Sequence, residues 1–274
     1  KIINKENPDY IYTSNPLNSL EIFLLGRGPL KKLVISEHGS KFGYNKVYSY
    51  IKKVVYPRAQ YISVPTKMDT ELYKQEGFPA EYIPHITTFS NSKMNQLTNK
   101  TILNVGRLTN DKRQSLLIEL WAECIKEENI NDWKLIIVGH GENEAELKSQ
   151  IIKLGVTESV EIIKPTPKIN EIYQKASVFA FTSKYEGFGM VLLEAMSFGI
   201  PCVSFDCPSG PRDIIDDGID GFLIPEGERE EWKRKLGVLI KDASKRKAMG
   251  KAAFNKTLAW DNQKILTQWD GIFK

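Results

Sequence analysis

The second part of the chain alternates short apolar runs with segments of helical spacing. Leu116, Leu117 and Leu120, for example, recur at the spacing that places apolar side chains on one face of a helix. Because six apolar runs of strand length are separated by such segments, the pattern predicts a doubly wound parallel sheet, that is, an α/β Rossmann-like domain. The predicted strands are Thr101–Val105, Trp133–Val138, Val160–Ile163, Val178–Thr182, Pro201–Phe205 and Phe222–Ile224.

The first part of the chain shows the same alternation in a weaker form. Its predicted strands are Ile11–Tyr12, Leu33–Ser36, Tyr61–Val64 and Tyr82–Ile83. A doubly wound domain usually needs more strands than this, and no glycine-rich strand-to-helix turn opens the segment. We therefore predict an incomplete Rossmann-like domain over residues 1–90, with its first strands missing.

The remaining segments complete the predicted organisation. Residues 91–100 are polar, lack apolar periodicity and are interpreted as a linker. The complete Rossmann-like domain is assigned to residues 101–256. Residues 257–274 are predicted to form a terminal helix that packs back on the first domain, through an apolar side made of Leu258, Ile265, Leu266 and Trp269.

Composition excludes several classes of protein. The 274 residues are 41% hydrophobic and 26% charged, as in ordinary globular chains. No apolar run approaches the roughly 18 residues of a membrane span. Cys124, Cys202 and Cys207 form no even disulfide set and no Cys-x-x-Cys pair, which favours a reducing compartment and argues against a thiolate zinc site. Disordered and membrane-spanning proteins are therefore excluded.

The net charge of +4 is unevenly distributed. Residues 1–100 hold 14 Lys and Arg against 8 Asp and Glu, a net charge of +6, whereas residues 101–274 hold 24 against 26, a net charge of −2. An anionic surface partner is therefore expected at the N-terminal part.

A glycine-bracketed turn after the fourth strand of the second domain is the strongest candidate for chemistry. It reads Glu186-Gly-Phe-Gly189 and leads into a helix that begins near Met190. Free backbone N–H groups and the helix dipole at such a turn suit a phosphate or a sugar hydroxyl. Glu186 and Glu194 converge on this turn, and a carboxylate can accept two hydrogen bonds from a vicinal diol. Alternatively, both carboxylates simply complement the helix dipole.

The loop after the first strand of the same domain carries the matching cations. Gly106 ends the strand, and Arg107 and Lys112 follow it. Cations there suit a diphosphate, although a solvated basic loop has the same composition. Because ligands of doubly wound sheets bind at the carboxyl ends of the strands, the two loops are expected to lie at one site.

The two motifs together resemble the signature of retaining GT-B fold glycosyltransferases of glycosyltransferase family 4. The resemblance is to Gly106-Arg-Leu108 followed by Lys112, and to Glu186-Gly-Phe-Gly189 followed by Glu194. The segment Cys207–Leu223 resembles a late loop and strand of the same family. The likeness is close over residues 101–225, fainter before, and most specific to bacterial enzymes of capsule, exopolysaccharide or lipopolysaccharide synthesis.

The resemblance implies a fold and roles for individual residues. The fold is GT-B, α/β, with two Rossmann-like doubly wound domains. Arg107 and Lys112 would hold the donor diphosphate, with no metal and no other cofactor, and Glu194 the ribose. Glu186 would contact the transferred sugar, and His38 would lie near the sugar and the incoming hydroxyl, although a histidine merely satisfied at a strand end fits equally. The implied donor-binding residues are Gly106, Arg107, Lys112, Lys164, Glu186, Gly187, Phe188, Gly189, Met190, Val191 and Glu194.

The sequence also departs from the family pattern. Arg113 stands where the family often has Gly, as a third cation that touches the phosphates or faces solvent. Lys164 lies in the segment Ile163–Pro167, where many members have a glycine beside the nucleobase. Gly139-His-Gly141 resembles a phosphate loop but is interpreted as a tight turn. Family members normally begin with a strand and a glycine-rich acceptor loop, which we expect to be missing here.

An amphipathic helix is predicted near residues 46–56. Val47, Ile51, Val54 and Val55 form one face, and Lys46, Ser49, Lys52 and Lys53 the other. The favoured interpretation is a core-facing helix with a solvated lysine face. The alternative is a patch for anionic lipid or a lipid-diphosphate acceptor. No RNA-binding signature accompanies its interleaved tyrosines, so nucleic acid is not expected as a partner.

The sequence thus predicts a cytoplasmic hexosyltransferase at the inner face of the membrane. It would move a hexose or N-acetylhexosamine from a nucleotide diphosphate sugar, UDP rather than GDP, to a lipid-linked or polysaccharide acceptor of a bacterial surface glycan. One alternative is a catalytically inactive nucleotide-sugar-binding partner or fragment. Another is a GT-B fold epimerase.

Overall fold

The computed structural model describes residues 6–87, 89, 92–128 and 130–273. Two parallel β-sheets, one from each part of the chain, form the framework. The N-terminal sheet has the order β1-β2-β3-β4, with strands Ile11–Thr13 (β1), Leu33–Ser36 (β2), Tyr61–Val64 (β3) and Ala80–Tyr82 (β4). Its helices are Pro16–Leu24 (α1), Arg27–Leu30 (α2), Lys46–Val55 (α3) and Lys67–Gln75 (α4), with 3₁₀ turns at Lys41–Gly43 and Tyr56–Arg58.

The C-terminal sheet has six strands in the order β10-β9-β8-β5-β6-β7. These strands are Thr101–Val105 (β5), Lys134–Val138 (β6), Val160–Ile163 (β7), Val178–Phe181 (β8), Cys202–Phe205 (β9) and Gly221–Ile224 (β10). The helices are Gln114–Glu128 (α5), Glu144–Leu154 (α6), Ile169–Tyr173 (α7), Met190–Ser197 (α8), Pro211–Ile214 (α9), Arg229–Lys241 (α10), Ala243–Leu258 (α11) and Asn262–Ile272 (α12).

The order of the C-terminal strands is the doubly wound order 3-2-1-4-5-6. β5 lies at its centre, and successive strands are added first on one side, through β6, and then on the other, through β8. β8 is buried along its whole length, as expected of a central parallel strand covered by helices on both faces. The prediction of two parallel Rossmann-like α/β units is confirmed, and ligands are expected where the order reverses, between β5 and β8.

The predicted strands agree with the observed ones to within a residue at most ends. The exception is the last N-terminal strand, predicted at Tyr82–Ile83 but found at Ala80–Tyr82. Ala80 is buried and Glu81 is exposed, because this edge strand has only one covered face. Because Glu81 interrupts the apolar run, a prediction based on apolar runs alone placed the start of this strand too late.

The predicted faces of α3 are wrong. Lys52, assigned to the solvated face, is only 4% exposed, whereas Val47, assigned to the core, is 67% exposed. Ile51 and Val55 are buried as predicted. The reason is an ion pair: the Lys52 ammonium lies 2.5 Å from a carboxylate oxygen of Glu37, which is itself buried.

The polar stretch predicted as a linker is anchored to the C-terminal unit at two buried residues, while most of its other described residues are exposed; Asn91 lies outside the described residues. Asn95 is buried, and its side-chain amide donates hydrogen bonds to the carbonyls of Tyr173 and Ala176. Leu97 is also buried. The stretch lacks apolar periodicity because its polar side chains satisfy the ends of neighbouring elements.

The terminal helix α12 packs on the N-terminal sheet. Ile265 and Ile272 are buried in one cluster with Val34 and Ile83. Ring contacts between Tyr10 and Phe273 and between Tyr12 and Trp269 extend the same interface. The chain therefore returns to its N-terminal part after completing the C-terminal sheet.

Candidate functional site

Two loops meet at the point where the C-terminal sheet reverses its strand order. One follows β5 and the other follows β8. The Lys184 N–H donates to the Asp111 carbonyl over 2.8 Å, and the Tyr185 hydroxyl donates to the Asp111 carboxylate over 2.6 Å. The Thr182 hydroxyl donates to the Lys112 and Arg113 carbonyls. These bonds hold the two loops as one rigid edge.

This edge and the N-terminal unit enclose a cavity of about 300 Å³. Its walls bring together five of the residues singled out in the sequence: His38, Arg107, Lys112, Glu186 and Gly187. Sequence analysis missed the others, although Thr109, Asp111 and Tyr185 lie within or beside the two motifs. The complete lining is His38, Gly39, Ser40, Gly43, Tyr44, Arg107, Thr109, Asp111, Lys112, Tyr185, Glu186 and Gly187.

Lys112 and Glu186 form an ion pair across this cavity, between the Lys112 ammonium and the Glu186 Oε1. Both side chains are largely removed from solvent, at 23% and 10% exposure. A half-buried pair is screened less than a surface pair. The two predicted loops therefore meet through side chains as well as through their backbones.

The glycine turn packs directly on the N-terminal unit. A Cβ atom at Gly187 would lie 1.9 Å from the His38 carbonyl oxygen and 3.2 Å from the Gly39 Cα. No side chain fits such a distance, so glycine is required at position 187. The turn and the loop that carries His38 are thereby brought into contact.

The turn then opens α8 through a left-handed residue. Gly189 forms the N-cap of the helix and has φ of 93°. Residues with a side chain rarely adopt this backbone conformation. Phe188 is buried, whereas Met190 and Val191, in the first turn of α8, are partly exposed. Of the predicted turn and helix start, only Glu186 and Gly187 line the cavity, and Phe188, Gly189, Met190 and Val191 follow them without lining it.

Glu194 lies further along α8 and does not line the cavity. Its Oε2 accepts a hydrogen bond of 2.8 Å from the hydroxyl of Tyr173, which the sequence did not indicate. Burial raises the pKa of the Glu194 carboxyl, and the Tyr173 hydrogen bond partly opposes that shift. Burial and the Glu194 charge raise the pKa of the Tyr173 hydroxyl.

Arg113 does not line the cavity. Its guanidinium forms two hydrogen bonds with the Glu226 carboxylate, at 2.5 and 3.0 Å. It also donates to the Thr182 and Ser183 carbonyls at the end of β8. Arg113 thus clamps β8 to the loop after β10 through an ion pair at the surface.

The loops after β6 and β7 lie at the border of the site. A Cβ at Gly139 would lie 2.1 Å from the Gly106 carbonyl oxygen, so this glycine permits close packing of the β6 loop on the β5 loop. That contact supports the tight-turn interpretation of the segment. Lys164, after β7, is exposed; the hydrogen bond and charge of Lys148 lower the pKa of Glu144 at the start of α6, and the Lys164 charge adds a smaller effect. Neither Lys164 nor Gly106 lines the cavity itself.

The described residues hold neither a metal-binding cluster nor a helix that could span a membrane. No group of three His, Cys, Asp or Glu side chains there is arranged to hold a metal ion. No helix in the same part of the chain has the length and apolar character that crossing a bilayer requires.

The chain is similar in sequence to bacterial glycosyltransferases. It is 39% identical over 171 residues to the amylovoran biosynthesis glycosyltransferase AmsD of Erwinia amylovora, a match that covers 62% of this chain and 47% of AmsD. It is 26% identical over 247 residues to a GalNAc-alpha-(1->4)-GalNAc-alpha-(1->3)-diNAcBac-PP-undecaprenol alpha-1,4-N-acetyl-D-galactosaminyltransferase of Campylobacter jejuni, covering 86% of this chain and 66% of that protein. The chain thus spans about half to two thirds of the length of these relatives.

Solved structures show the same architecture. Anabaena Alr3699/HepE, crystallised in complex with UDP and glucose, superposes with a TM-score of 0.85 at 20% identity, over 97% of this chain and 77% of HepE. The GT-B type fold is therefore confirmed. The sequence model of the family described as "Glycosyl transferases group 1" matches residues 86–256, which include both motifs of the cavity. The chain belongs to the glycosyl transferases group 1 family.

Proposed function

We propose that the protein is a retaining glycosyltransferase that moves a hexose or N-acetylhexosamine from a nucleotide diphosphate sugar to a lipid-linked or polysaccharide acceptor. The observation that carries the proposal is the cavity at the strand-order reversal. There two cations, a carboxylate and a glycine turn from the C-terminal unit face a histidine of the N-terminal unit. This arrangement places charge for a leaving group on one side and a proton-binding side chain on the other.

The donor diphosphate would bind between Arg107 and Lys112. Both residues line the cavity beyond the carboxyl end of β5, and both can donate charge-assisted hydrogen bonds to phosphate oxygens. Since Lys112 is paired with Glu186, a diphosphate would compete with that carboxylate for the ammonium. Glu186 would then be released toward the sugar that is transferred. We propose that these two cations stabilise the leaving diphosphate without a metal ion or other cofactor.

The remaining donor contacts follow from the helix and the strand ends. The N–H groups of Gly187, Phe188, Gly189, Met190 and Val191 would serve the sugar and phosphate. Glu194, which already accepts one hydrogen bond from Tyr173, has a second oxygen for the ribose. Lys164, exposed at the end of β7, would lie toward the base.

Uridine is proposed as the base because two solved structures of the same fold contain UDP. HepE was crystallised with UDP and glucose, and Staphylococcus aureus TarM, at TM-score 0.79, was crystallised with UDP. The acceptor class is proposed from the relatives, of which AmsD acts in amylovoran biosynthesis and the Campylobacter enzyme is named for an undecaprenol-linked glycan. A cytoplasmic location at the membrane, with the basic N-terminal unit toward anionic lipid, belongs to the same proposal.

A thermal-shift panel of UDP and GDP sugars tests donor binding. A ligand that binds only the native state at a hundred times its Kd should stabilise it by about 2.7 kcal/mol. We expect a UDP sugar to raise the Tm with and without EDTA, and we expect Lys168→Ala, which removes an exposed lysine of the same domain, to respond as the wild type does. A panel in which no nucleotide sugar raises the Tm would overturn the proposal.

A second assay separates catalysis from binding. The stabilising donor is mixed with a polyprenyl-diphosphate-linked sugar, nucleotide release is measured, and the anomeric configuration of the product is read by NMR. Acceptor-dependent release with retained configuration is expected. Binding without release would instead indicate an inactive nucleotide-sugar-binding partner, and isomerisation of the donor without acceptor would indicate an epimerase.

A further inference from the structure

Four aromatic rings form a continuous chain across the cleft between the two units. The imidazole rings of His38 and His85 stack with centroids 5.2 Å apart and planes 11° apart. His85 meets the ring of Phe188 edge to face, at 5.3 Å and 85°. Phe188 in turn contacts Trp260, at 6.0 Å. His85, which neither motif includes, is thus the link between the acceptor-side histidine and the donor-side turn.

The backbone of His38 is held by Glu37, but its side chain has only the stack with His85 among the contacts of the described residues. Its side chain is exposed in the cleft, on the loop that follows β2. An exposed imidazole samples several rotamers unless a neighbour fixes its plane. The ring of His85 covers one face of the His38 imidazole. The stack thereby restricts the orientation of the His38 ring edge, which carries the two nitrogen atoms.

Besides the stack with His38, two other residues hold His85 in place. Its own backbone carbonyl accepts a hydrogen bond of 3.0 Å from the indole N–H of Trp260. Phe188, which is 2% exposed, fixes the edge of its ring. Burial, with the His38 charge as the smaller contribution, lowers the pKa of His85 to about 4. The ring therefore stays neutral and apolar in character at neutral pH, which suits stacking better than proton transfer.

We propose that His85 is a positioning residue for His38: it fixes the plane of the His38 imidazole and ties that plane to the donor turn through Phe188. The inference deepens the proposed function and rests on it for the kinetic part of its test. His85 touches no cavity space itself, and it acts through the ring that does. Its replacement should therefore change turnover without changing nucleotide binding.

Three substitutions separate positioning from simple packing. His85→Phe keeps an aromatic ring in the stack, His85→Leu fills the same space without one, and His85→Ala empties it. All three leave the backbone carbonyl that Trp260 uses. The chain has three histidines, so their ring protons can be assigned individually, with His140→Gln identifying the third resonance.

The first measurement is NMR of the full chain and needs no substrate. We expect cross-relaxation between the His38 and His85 ring protons in the wild type. The His38 ring resonances should move toward unstructured positions in His85→Leu and His85→Ala and stay in place in His85→Phe. Absence of the cross-relaxation, or unchanged His38 resonances in His85→Leu, would overturn the proposal, even if no donor were ever turned over.

The second measurement uses UDP and the donor found in the panel above. His85→Leu should bind UDP with wild-type affinity and keep the wild-type KM for the donor, while kcat falls by about ten- to a hundredfold, since displacement of a reacting group by about 1 Å has that cost. His85→Phe should retain the wild-type kcat. Equal losses in UDP affinity and kcat, or a kcat in His85→Phe as low as that in His85→Leu, would show that His85 only packs the interface.

Discussion

At the scale of single residues, the cavity depends on two cations with different surroundings. Lys112 is paired with Glu186 and partly buried, whereas Arg107 lies in the more exposed part of the same wall. A diphosphate would have to displace Glu186 from Lys112, which offsets part of what that lysine gains. Within the described part of the chain, Arg107 has no carboxylate partner that a diphosphate would have to displace. The two cations should therefore contribute unequally to binding.

Removal of either cation should weaken nucleoside diphosphate binding. A charge-assisted hydrogen bond contributes about 1.5–3 kcal/mol, so Arg107→Ala should lower the affinity for UDP by about ten- to a hundredfold, and Lys112→Ala by about tenfold. Calorimetry with free UDP measures both, with Lys168→Ala as the matched lysine control. Unchanged affinity in Arg107→Ala and Lys112→Ala would exclude a diphosphate role.

The raised pKa of the Glu194 carboxyl leads to a prediction about the pH dependence of stability and of UDP binding. Burial raises the pKa of its carboxyl, so the native state binds this proton more tightly than the unfolded chain does. The associated stability is therefore fully present below the unfolded pKa of about 4.3 and is lost as pH rises through the native pKa. In urea titrations across that window, Glu194→Gln should remove this part of the pH dependence, and UDP should bind the wild type more weakly as the carboxylate becomes protonated. A wild-type pH profile in Glu194→Gln would contradict the shift.

At the scale of elements, the loop after β2 is fixed by a buried ion pair. Glu37 Oε1 accepts hydrogen bonds from the N–H groups of His38 and Gly39 and from the hydroxyl of Tyr44. Its other oxygen lies 2.5 Å from the Lys52 ammonium of α3, which also donates to the Tyr73 hydroxyl. Burial lowers the pKa of Lys52 although the Glu37 charge opposes that shift. Helix α3 thus supports the cavity through one side chain.

Removal of one partner of this ion pair should destabilise the protein strongly, whereas replacement of both partners together should destabilise it much less. Glu37→Gln or Lys52→Met alone should destabilise the protein by about 3–5 kcal/mol, because either change leaves a buried group without its counter-charge. The double variant Glu37→Gln with Lys52→Met should lose much less than the sum of the two. Urea unfolding of all four proteins gives the coupling energy. Additive losses would show that the two charges do not interact.

The elements of the C-terminal sheet follow from sequence better than those of the N-terminal unit, and the reason is burial. β8 is apolar throughout because both faces are covered, so its run of Val178–Phe181 is unmistakable. The faces of α3 could not be predicted, since Lys52 is buried only because Glu37 approaches it from another element. The same limit applied to Arg113, whose partner Glu226 lies 113 residues away. Pairings between distant charges leave no local periodicity.

The candidate site shows the same difference between residues in local motifs, which could be predicted, and contacts from distant segments, which could not. Arg107, Lys112, Glu186 and Gly187 stand in local motifs, and the structure brings all four to one cavity with His38. Their roles stay predictions. His85 and Tyr173 carry no motif, because each acts only through a side chain from a distant segment. Spacing in sequence can indicate which loops meet, but it cannot show which outside residues support them.

At the scale of the whole molecule, the terminal helix α12 joins the two units. Its residue Ile265 is 6% exposed and packs with Val34 of the central N-terminal strand β2. The Trp260 indole, just before the helix, bonds to His85 at the end of the N-terminal unit. Chain ends that are tied down in this way stabilise the segments that they touch.

Loss of this packing should lower the stability of the N-terminal unit more than that of the C-terminal sheet. Ile265→Ala should cost about 2–5 kcal/mol, as for other buried large-to-small substitutions. Hydrogen exchange should show the loss of protection in β2 and β3, while β5 and β8 keep theirs. Leu266→Ala, which trims a neighbouring side chain that is 45% exposed, is the matched control and should change little. Equal loss of protection in both sheets would mean that the units unfold as one.

The contact between Gly187 and the His38 carbonyl also limits how this protein can be engineered. At this point the two loops touch through backbone atoms, so their fit depends on the paths of both main chains and not only on their side chains. Grafting a donor loop from a relative would change one path without the other. A chimera should therefore exchange residues 37–39 and 182–189 together. Only then would the new donor loop still fit the loop that carries His38.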